Sequence, residues 1–323
     1  MFRNRLNGAI THLKDPRSFI SSSGLIIFFA VLFIYFSIAS PHFLNPNNFI
    51  NVLISVSVIG VIATAMTLVI IGGGLDLTVG AIVAMMGSIQ ANLALINGFP
   101  WYIAMLAGIL IGVGVGLLNG IIIVKFNLSP FIVTLGMMNV VRGLCYVLTD
   151  GHSYFINKPE LVYLGRARWS GIPVSIIVLI ASFIIIDFLS QKTVFGRYIY
   201  ACGSNSTASR LAGINVKKIG VSLYAISGFM ASIAGMIVIG ISGAAIPHTG
   251  ESYPLDAITA VLLGGTSLMG GQGSVRRTLL GILIIGIMNN GMALLNVQTF
   301  WQITAKGALL LIAIIIDGLR NKA

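Results

Sequence analysis

Asp76 is the acid set deep between two long apolar runs. A carboxylate in such a place is costly and is normally paired or functional. It has two possible uses. It can accept backbone N–H groups from Thr78 onward and cap the helix that follows, or it can line a path for a polar solute. Arg142 follows Met137-Met138-Asn139 inside another apolar run and requires a carbonyl or an acid from a neighbouring helix. Asn119, Asn139, Asn289, Asn290 and Gln302 add amides. Amides commonly tie helices together in membranes, and with aromatic rings they also suit a neutral polyhydroxyl solute. The chemistry on offer is hydrogen bonding, with no bond-breaking set in the sequence. His12, His42, His152 and His248 fall outside or at the ends of the apolar runs and form no HExxH spacing. No GxSxG arrangement occurs. No catalytic and no metal-binding residue is assigned.

These residues must be positioned by membrane-crossing helices. The 323 residues are 57% hydrophobic and only 8% charged, against about 25% charged in soluble domains. Ile50 to Gly74 carries no charge and exceeds the ~20 residues a transmembrane helix needs. The expected fold is all-α and polytopic, which excludes most soluble enzyme classes. Ten spans are predicted, near 22–40, 49–71, 78–96, 101–124, 130–148, 172–190, 220–242, 255–269, 278–296 and 300–317. The eighth is short and reads as broken or partly inserted. The chain is one membrane domain, 22–317, with an N-terminal segment 1–21 and a tail 318–323. Gly24 to Ala39 after several basic residues has the shape of a signal peptide, but more spans follow, and an uncleaved first span is expected. Phe2, Leu6, Ile10 and Leu13 suit a short helix on the membrane surface.

The net charge of +11 is distributed as a membrane protein requires, and not as a nucleic-acid binder would have it. With the N-terminus inside, fourteen of the 19 Lys and Arg residues fall in the cytoplasm, three (Lys158, Arg166, Arg168) outside and two (Arg142, Lys306) within spans. The positive-inside rule therefore places both termini in the cytoplasm. Asp150 to Gly171 becomes a long external loop and Gln191 to Ile219 a long internal one. Loops of that length are often functional. Cys145 and Cys202 fall in different compartments, so no disulfide framework is expected.

Glycine is organised. Gly108, Gly112, Gly116 and Gly120 recur every fourth residue, a face that lets helix backbones approach closely. Two further clusters, Gly72 to Gly80 and Gly264 to Gly273, interrupt the regular spans at the same side of the membrane. The second lacks the Lys-Ser/Thr of a phosphate loop, so no ATP site is read there. The two clusters follow similar apolar text and hint at an internal repeat. Interrupted helices in corresponding halves mark the transport path in transporter folds; the plain alternative is two tight turns.

Four ordered motifs carry a family resemblance: Gly74-Leu75-Asp76-Leu77-Thr78-Val79-Gly80; Pro130 to Gly136 with Arg142-Gly143; Phe195-Gly196-Arg197-Tyr198 with Ala208 to Ile214; and Leu255-Asp256-Ala257-Ile258 through Gly264-Gly265-Thr266-Ser267-Leu268 and Gly270-Gly271. Together they resemble the permease subunits of bacterial ATP-binding-cassette sugar importers of the ribose, xylose and galactose type. The resemblance implies a multi-pass protein of the bacterial inner membrane that pairs with a second permease copy, identical or paralogous. It implies a periplasmic sugar-binding protein and a separate cytoplasmic ATPase subunit that binds the ATP, with no cofactor in this chain. The path or helix-break candidates are then Asp76, Thr78, Asn119, Asn139, Arg142, Asn289, Asn290 and Gln302. The ATPase-coupling segment maps onto 191–219, with Gly196, Arg197, Ser206, Ala208, Arg210, Leu211, Gly213 and Ile214. Ser206-Thr207 stands where many relatives carry acids. A helix over Ser206 to Ile214 is expected, capped by Ser206 and ended by Gly213. An ion-coupled secondary transporter is the main rival, but it needs more intramembrane ionisable groups than Asp76 and Arg142. A permease for a nucleoside or another small solute is the alternative within the importer class.

Overall fold

Lipid offers no hydrogen bonds to the backbone, so an apolar chain of this kind must satisfy its N–H and C=O groups within helices. The computed structural model describes residues 16–320 and follows that rule. Its helices are α1 (Pro16–Ala39), α2 (Pro46–Ile71), α3 (Val79–Gln90, continued by a π-helical turn, Ala91–Ile96), α4 (Trp101–Phe126), α5 (Pro130–Thr149), α6 (Pro159–Arg166), α7 (Val174–Lys192), α8 (Val194–Ser204), α9 (Ser206–Leu211), α10 (Val216–Ser242), α11 (Tyr253–Leu263), α12 (Val275–Leu294) and α13 (Thr299–Arg320). Each of the ten expected runs contains a helix, though in the eighth the helix stops at Leu263. Eight are long and apolar enough to cross a membrane, while α11 and the apolar part of α1, Gly24–Ala39, are shorter. The surface helix expected near residues 2–13 lies outside the described residues, and α1 begins at Pro16, ahead of the expected 22.

Local sequence sets the ends of these helices. Asn45 accepts from the Asn47 N–H and Pro46 opens α2; Pro is favoured there because its missing N–H would have no partner. Asn127 at φ +52° ends α4, and Gly243 at φ +67° ends α10.

The centre is α2, buried along most of its length, with α7, α10, α11 and α12 against it. α4 meets α10 through the four spaced glycines. A Cβ on Gly112 would strike the Ser232 hydroxyl, on Gly116 the Tyr224 carbonyl, and on Gly120 the backbone of Val221. The glycine face is therefore a helix-packing seam. α1 and α13 lie at the rim, and α5 turns most of its surface outward.

The connections collect at two ends. At the strand end, the two-residue strands Tyr154–Phe155 (β1) and Ala244–Ala245 pair antiparallel, Lys158 Nζ donates to the Ala94 carbonyl at 2.7 Å, and Asn48 and Asn290 exchange amide bonds at 2.9 and 2.8 Å. At the glycine end lie 72–78, 127–129, 193–215 and 264–274. There the Gly271 N–H donates to the Ile71 carbonyl at 2.7 Å, and Arg276 pairs with Asp187 at 2.9 Å.

Three local expectations are corrected. The loop 150–171 holds β1, α6 and the start of a second small hairpin, Arg168–Trp169 (β2) with Ile172–Pro173 (β3). The loop 191–219 holds two helices, α8 and α9. The helix expected over 206–214 ends at Leu211, and Asn205, not Ser206, caps it by accepting from the Ala208 N–H at 2.9 Å. Asn205 sits outside the helix at φ −158°, where a cap belongs, and an Asx side chain there bonds the first turn as well as serine does. Gly213 at φ +82° ends the turn, and the Ile214 N–H closes back on the Ser209 carbonyl at 3.0 Å, a Schellman-like closure.

Candidate functional site

The first interruption separates α2 from α3. Gly72 and Gly73 bond back to Leu68 and Ile70, and Gly73 turns the chain at φ +82°. Leu75 to Thr78 then run without helical bonds inside the protein. Asp76 has no exposed surface. Its Oδ1 accepts from the Thr78 N–H at 2.9 Å and from the Thr78 hydroxyl. Asn119 on α4 donates to the same hydroxyl at 3.1 Å, and Tyr224 on α10 donates to the Leu75 carbonyl at 3.4 Å. Ser227 lies against the carboxyl, yet neither Asp76 Oδ2, the Ser227 hydroxyl nor Asn119 Oδ1 completes a hydrogen bond. This polar knot joins α4 and α10 to the break between α2 and α3, and three of its side-chain atoms are unsatisfied. We expect Asp76→Asn to keep assembly, with uptake within a few-fold of wild type, because the amide oxygen still accepts from Thr78. An assembled but transport-dead Asn variant, measured by uptake in vesicles, would show that the charge itself serves the path.

A third irregular stretch, separate from the Gly264 to Gly273 cluster, lies between α10 and α11. After Gly243 the chain dips back among the helices. Ala245 packs at Gly87 and the Gly250 carbonyl at Gly80, so 245–250 runs beside α3 in the opposite direction. Arg142, near the middle of α5, holds this segment by donating Nη1 to the carbonyls of Pro247 at 2.7 Å and Thr249 at 2.8 Å. The partner sought for Arg142 is thus a pair of backbone carbonyls. Irregular backbone at membrane depth is tolerated where protein supplies its partners. The chain then enters α11, whose eleven residues span about 16 Å, roughly half of a ~30 Å hydrocarbon core. The short eighth span is a half-helix, 253–263 and not 255–269, fed by a re-entrant segment.

α11 carries a feature that sequence reading missed. Asp256 in its first turn is buried and pairs with Lys306 of α13 at 3.0 Å, with Ser252 donating to the same oxygen at 3.2 Å. Asp76 is therefore not the only deep acid. The signal was present: Lys306 sits inside an apolar span and needs a counter-charge, and Asp256 is the acid that opens the neighbouring short span. His248 lies outside the helices, as expected. It is exposed on the re-entrant segment, between the two carbonyls held by Arg142. Gln90, fully buried where α3 passes into its π turn, has both ends of its amide unpartnered; such turns are frequent at functional sites.

The remaining residues divide. Asn139 is exposed on α5 and bonds only its own helix, to the Leu135 carbonyl at 3.1 Å. Asn290 ties α12 to α2 through Asn48. Gln302 bonds the Val297 carbonyl at 2.8 Å at the foot of α13. Asn289 Oδ1 is buried without a partner. The path candidates therefore do not form one cluster: Asp76, Thr78 and Asn119 meet at the first interruption, Arg142 holds the re-entrant segment 245–250, and Asn289, Asn290 and Gln302 lie apart from both.

The coupling candidates gather at the glycine end. Gly196 fits against the end of α7, where a Cβ would strike the Ser190 carbonyl. On α9, Ser206, Ala208, Arg210 and Leu211 are exposed, Leu211 at 86%, while Ile214 packs on the core. Arg197 is exposed on α8. Behind them Gly203 approaches the Ile71 carbonyl and Gly271 N–H, Gly270 approaches Gly73, and Gly271 approaches Ser204. The ends of α2 and α8 and the 264–273 loop thus touch backbone to backbone, which joins both interruptions to the α8–α9 segment.

Comparison with known proteins places the chain. A family described as branched-chain amino acid transport system / permease component matches residues 48–316. The chain belongs to that permease family. It is 43% identical over 289 residues to the ribose import permease protein RbsC of Bacillus subtilis, covering 89% of both chains. It is 40% identical over 309 residues to RbsC of Haemophilus influenzae, covering 94% of this chain and 93% of that one. It is 36% identical over 302 residues to the L-arabinose ABC transporter permease protein AraH of Azospirillum brasilense, covering 94% and 89%. No solved structure matches. These relatives agree with the resemblance carried by the four motifs.

Proposed function

We propose that this chain is the membrane permease of an ATP-driven importer, and that it passes a neutral monosaccharide, a ribose-type pentose or a hexose, from a periplasmic binding protein to the cytoplasm. The observation that carries this reading is similarity to ribose import permeases along about nine-tenths of the chain. The charges support a neutral solute. Asp256 is paired with Lys306, Arg142 is committed to carbonyls, and Asp76 is sealed inside. Among the described residues no free pair of opposite charges is left in the spans for a zwitterion. The same economy argues against ion coupling.

The glycine end carries Lys125, Lys192, Arg197, Arg210, Lys217, Lys218, Arg276 and Arg277, and the strand end Lys158, Arg166 and Arg168. The glycine end, with both termini, is therefore assigned to the cytoplasm, and α11 with its re-entrant segment makes the tenth passage. α9 offers its exposed face to the ATPase subunit. α5 is proposed to meet the second permease copy, because exposed Asn139 and His248 are costly against lipid and useful beside a sugar.

Reconstituted chain, ATPase and binding protein should take up labelled ribose only with ATP, and an ionophore should not stop it. Uptake that survives without ATP and collapses with the ion gradient would overturn the reading. In the same assay His248→Ala and Asn139→Ala should slow uptake several-fold; unchanged rates for a panel of sugars would remove both from the path.

A further inference from the structure

A cavity of about 620 Å³ opens at the glycine end, between the end of α7, α8 and the start of α12. Lys192, Arg276 and Arg277 line it, with Gln191, Tyr200 and Ser274. Three cations meet one acid there. Arg276 is committed to Asp187 at 2.9 Å, and among the described residues neither Lys192 nor Arg277 has a carboxylate partner. The floor is fixed: Gln191 donates to the Tyr200 hydroxyl at 3.1 Å, and Tyr200 donates to the Gly273 carbonyl at 3.0 Å. Burial pushes the Tyr200 phenol up, so it remains a donor. α12 starts at the cavity wall, and its Ser274 makes no capping bond, so the first-turn N–H groups of a 20-residue helix are left for another acceptor.

The walls continue into an apolar surface. Ile184, Ile185 and Phe188 of α7 are exposed at 64%, 58% and 61%, and Leu279 of α12 at 38%. Phe188 lies one turn before Lys192 on α7, and Leu279 one turn past Arg276 on α12, spacings that share a helix face. A group bound by Lys192 and Arg277 would thus have its other end over a greasy helix pair. A soluble anion has no use for that second surface. A lipid uses both.

We propose that this cavity holds the phosphate headgroup of an anionic phospholipid of the inner leaflet, with its acyl chains along α7 and α12. The leaflet rests on the orientation proposed above; the phosphate chemistry does not. Lys192 and Arg277 supply the charge, the α12 N–H groups supply donors, and the Asp187–Arg276 pair closes the rim. Basic pockets between helices at the cytoplasmic side suit such headgroups.

The test uses the purified complex in nanodiscs of mixed phosphatidylglycerol and phosphatidylcholine, with retained lipid read by native mass spectrometry. Wild type should retain phosphatidylglycerol over phosphatidylcholine, and Lys192→Gln/Arg277→Gln should lower that preference roughly tenfold or more, since each basic side chain at an anionic surface counts for about a factor of five. Lys192→Arg/Arg277→Lys should preserve it, which separates lost charge from lost fold. Equal preference in the Gln double variant and wild type would overturn the site. Saturable binding of inorganic phosphate with no lipid preference would overturn the lipid and leave a soluble anion. Lipid retention is read without transport, so a failed uptake assay would count against the proposed function alone.

Discussion

Arg142→Ala should cost at least about a hundredfold in uptake. The substitution strips the Pro247 and Thr249 carbonyls of their shared donor at membrane depth. Hydrogen bonds from a charged donor are worth about 1.5–3 kcal/mol each, so the pair represents about 3–6 kcal/mol. That energy holds the re-entrant segment in place, and its release should disorder the approach to α11 more than it unfolds the bundle. Arg142→Lys should recover only part of the rate, because both carbonyls are held by one terminal guanidinium nitrogen and the ammonium of the shorter lysine side chain reaches that point less well. Initial uptake rates measured beside the thermal stability of the solubilised complex will separate the two effects. A wild-type rate for Arg142→Ala would mean that 245–250 needs no anchor.

Gly116→Val and Gly114→Val form a second, paired prediction. A Cβ on Gly116 would strike the Tyr224 carbonyl, while none of the protein lies within 4 Å of a Cβ on Gly114. Backbone cannot step aside as a side chain can. Val at 116 must therefore part α4 from α10, at more than about 3 kcal/mol, the upper range for overpacking. Val at 114, two residues away on the same helix, should change stability by no more than about 0.5 kcal/mol. The amount of monodisperse protein extracted from membranes reads both. Equal yields would dissolve the seam as a packing determinant.

The eight long apolar helices were legible because lipid imposes one rule along the chain, and length plus charge reports it directly. The glycine seam was legible because its period of four matches one helix face. The two interruptions were visible as glycine clusters, but their relation was not. The contact of Gly270 and Gly271 with Gly73 and Ile71 joins positions about 200 residues apart, and no local pattern encodes it. The re-entrant segment was hidden for a similar reason: Ala244 to Ser252 reads as an ordinary polar loop until Arg142 is seen to hold it. Asn205 took the cap from Ser206 because neighbouring residues can both cap, and backbone geometry decides between them. Asp256 was overlooked because it was read as part of a motif and Lys306 as a charge within a span, though the two answer each other.

That pair constrains how the protein is made. α11 is too short to cross a bilayer alone, and it carries a carboxylate in its first turn. Its cation arrives on α13, 50 residues later in the chain. Until then the half-helix must wait in a shelter of earlier helices, chiefly α2 and α12, with its charge unanswered. Integration into the bilayer is therefore not strictly sequential: synthesis of α13 locks a segment that preceded it. A chain cut short after α12 would keep nearly all of its apolar spans and still lack the one group that makes the half-helix at home in lipid.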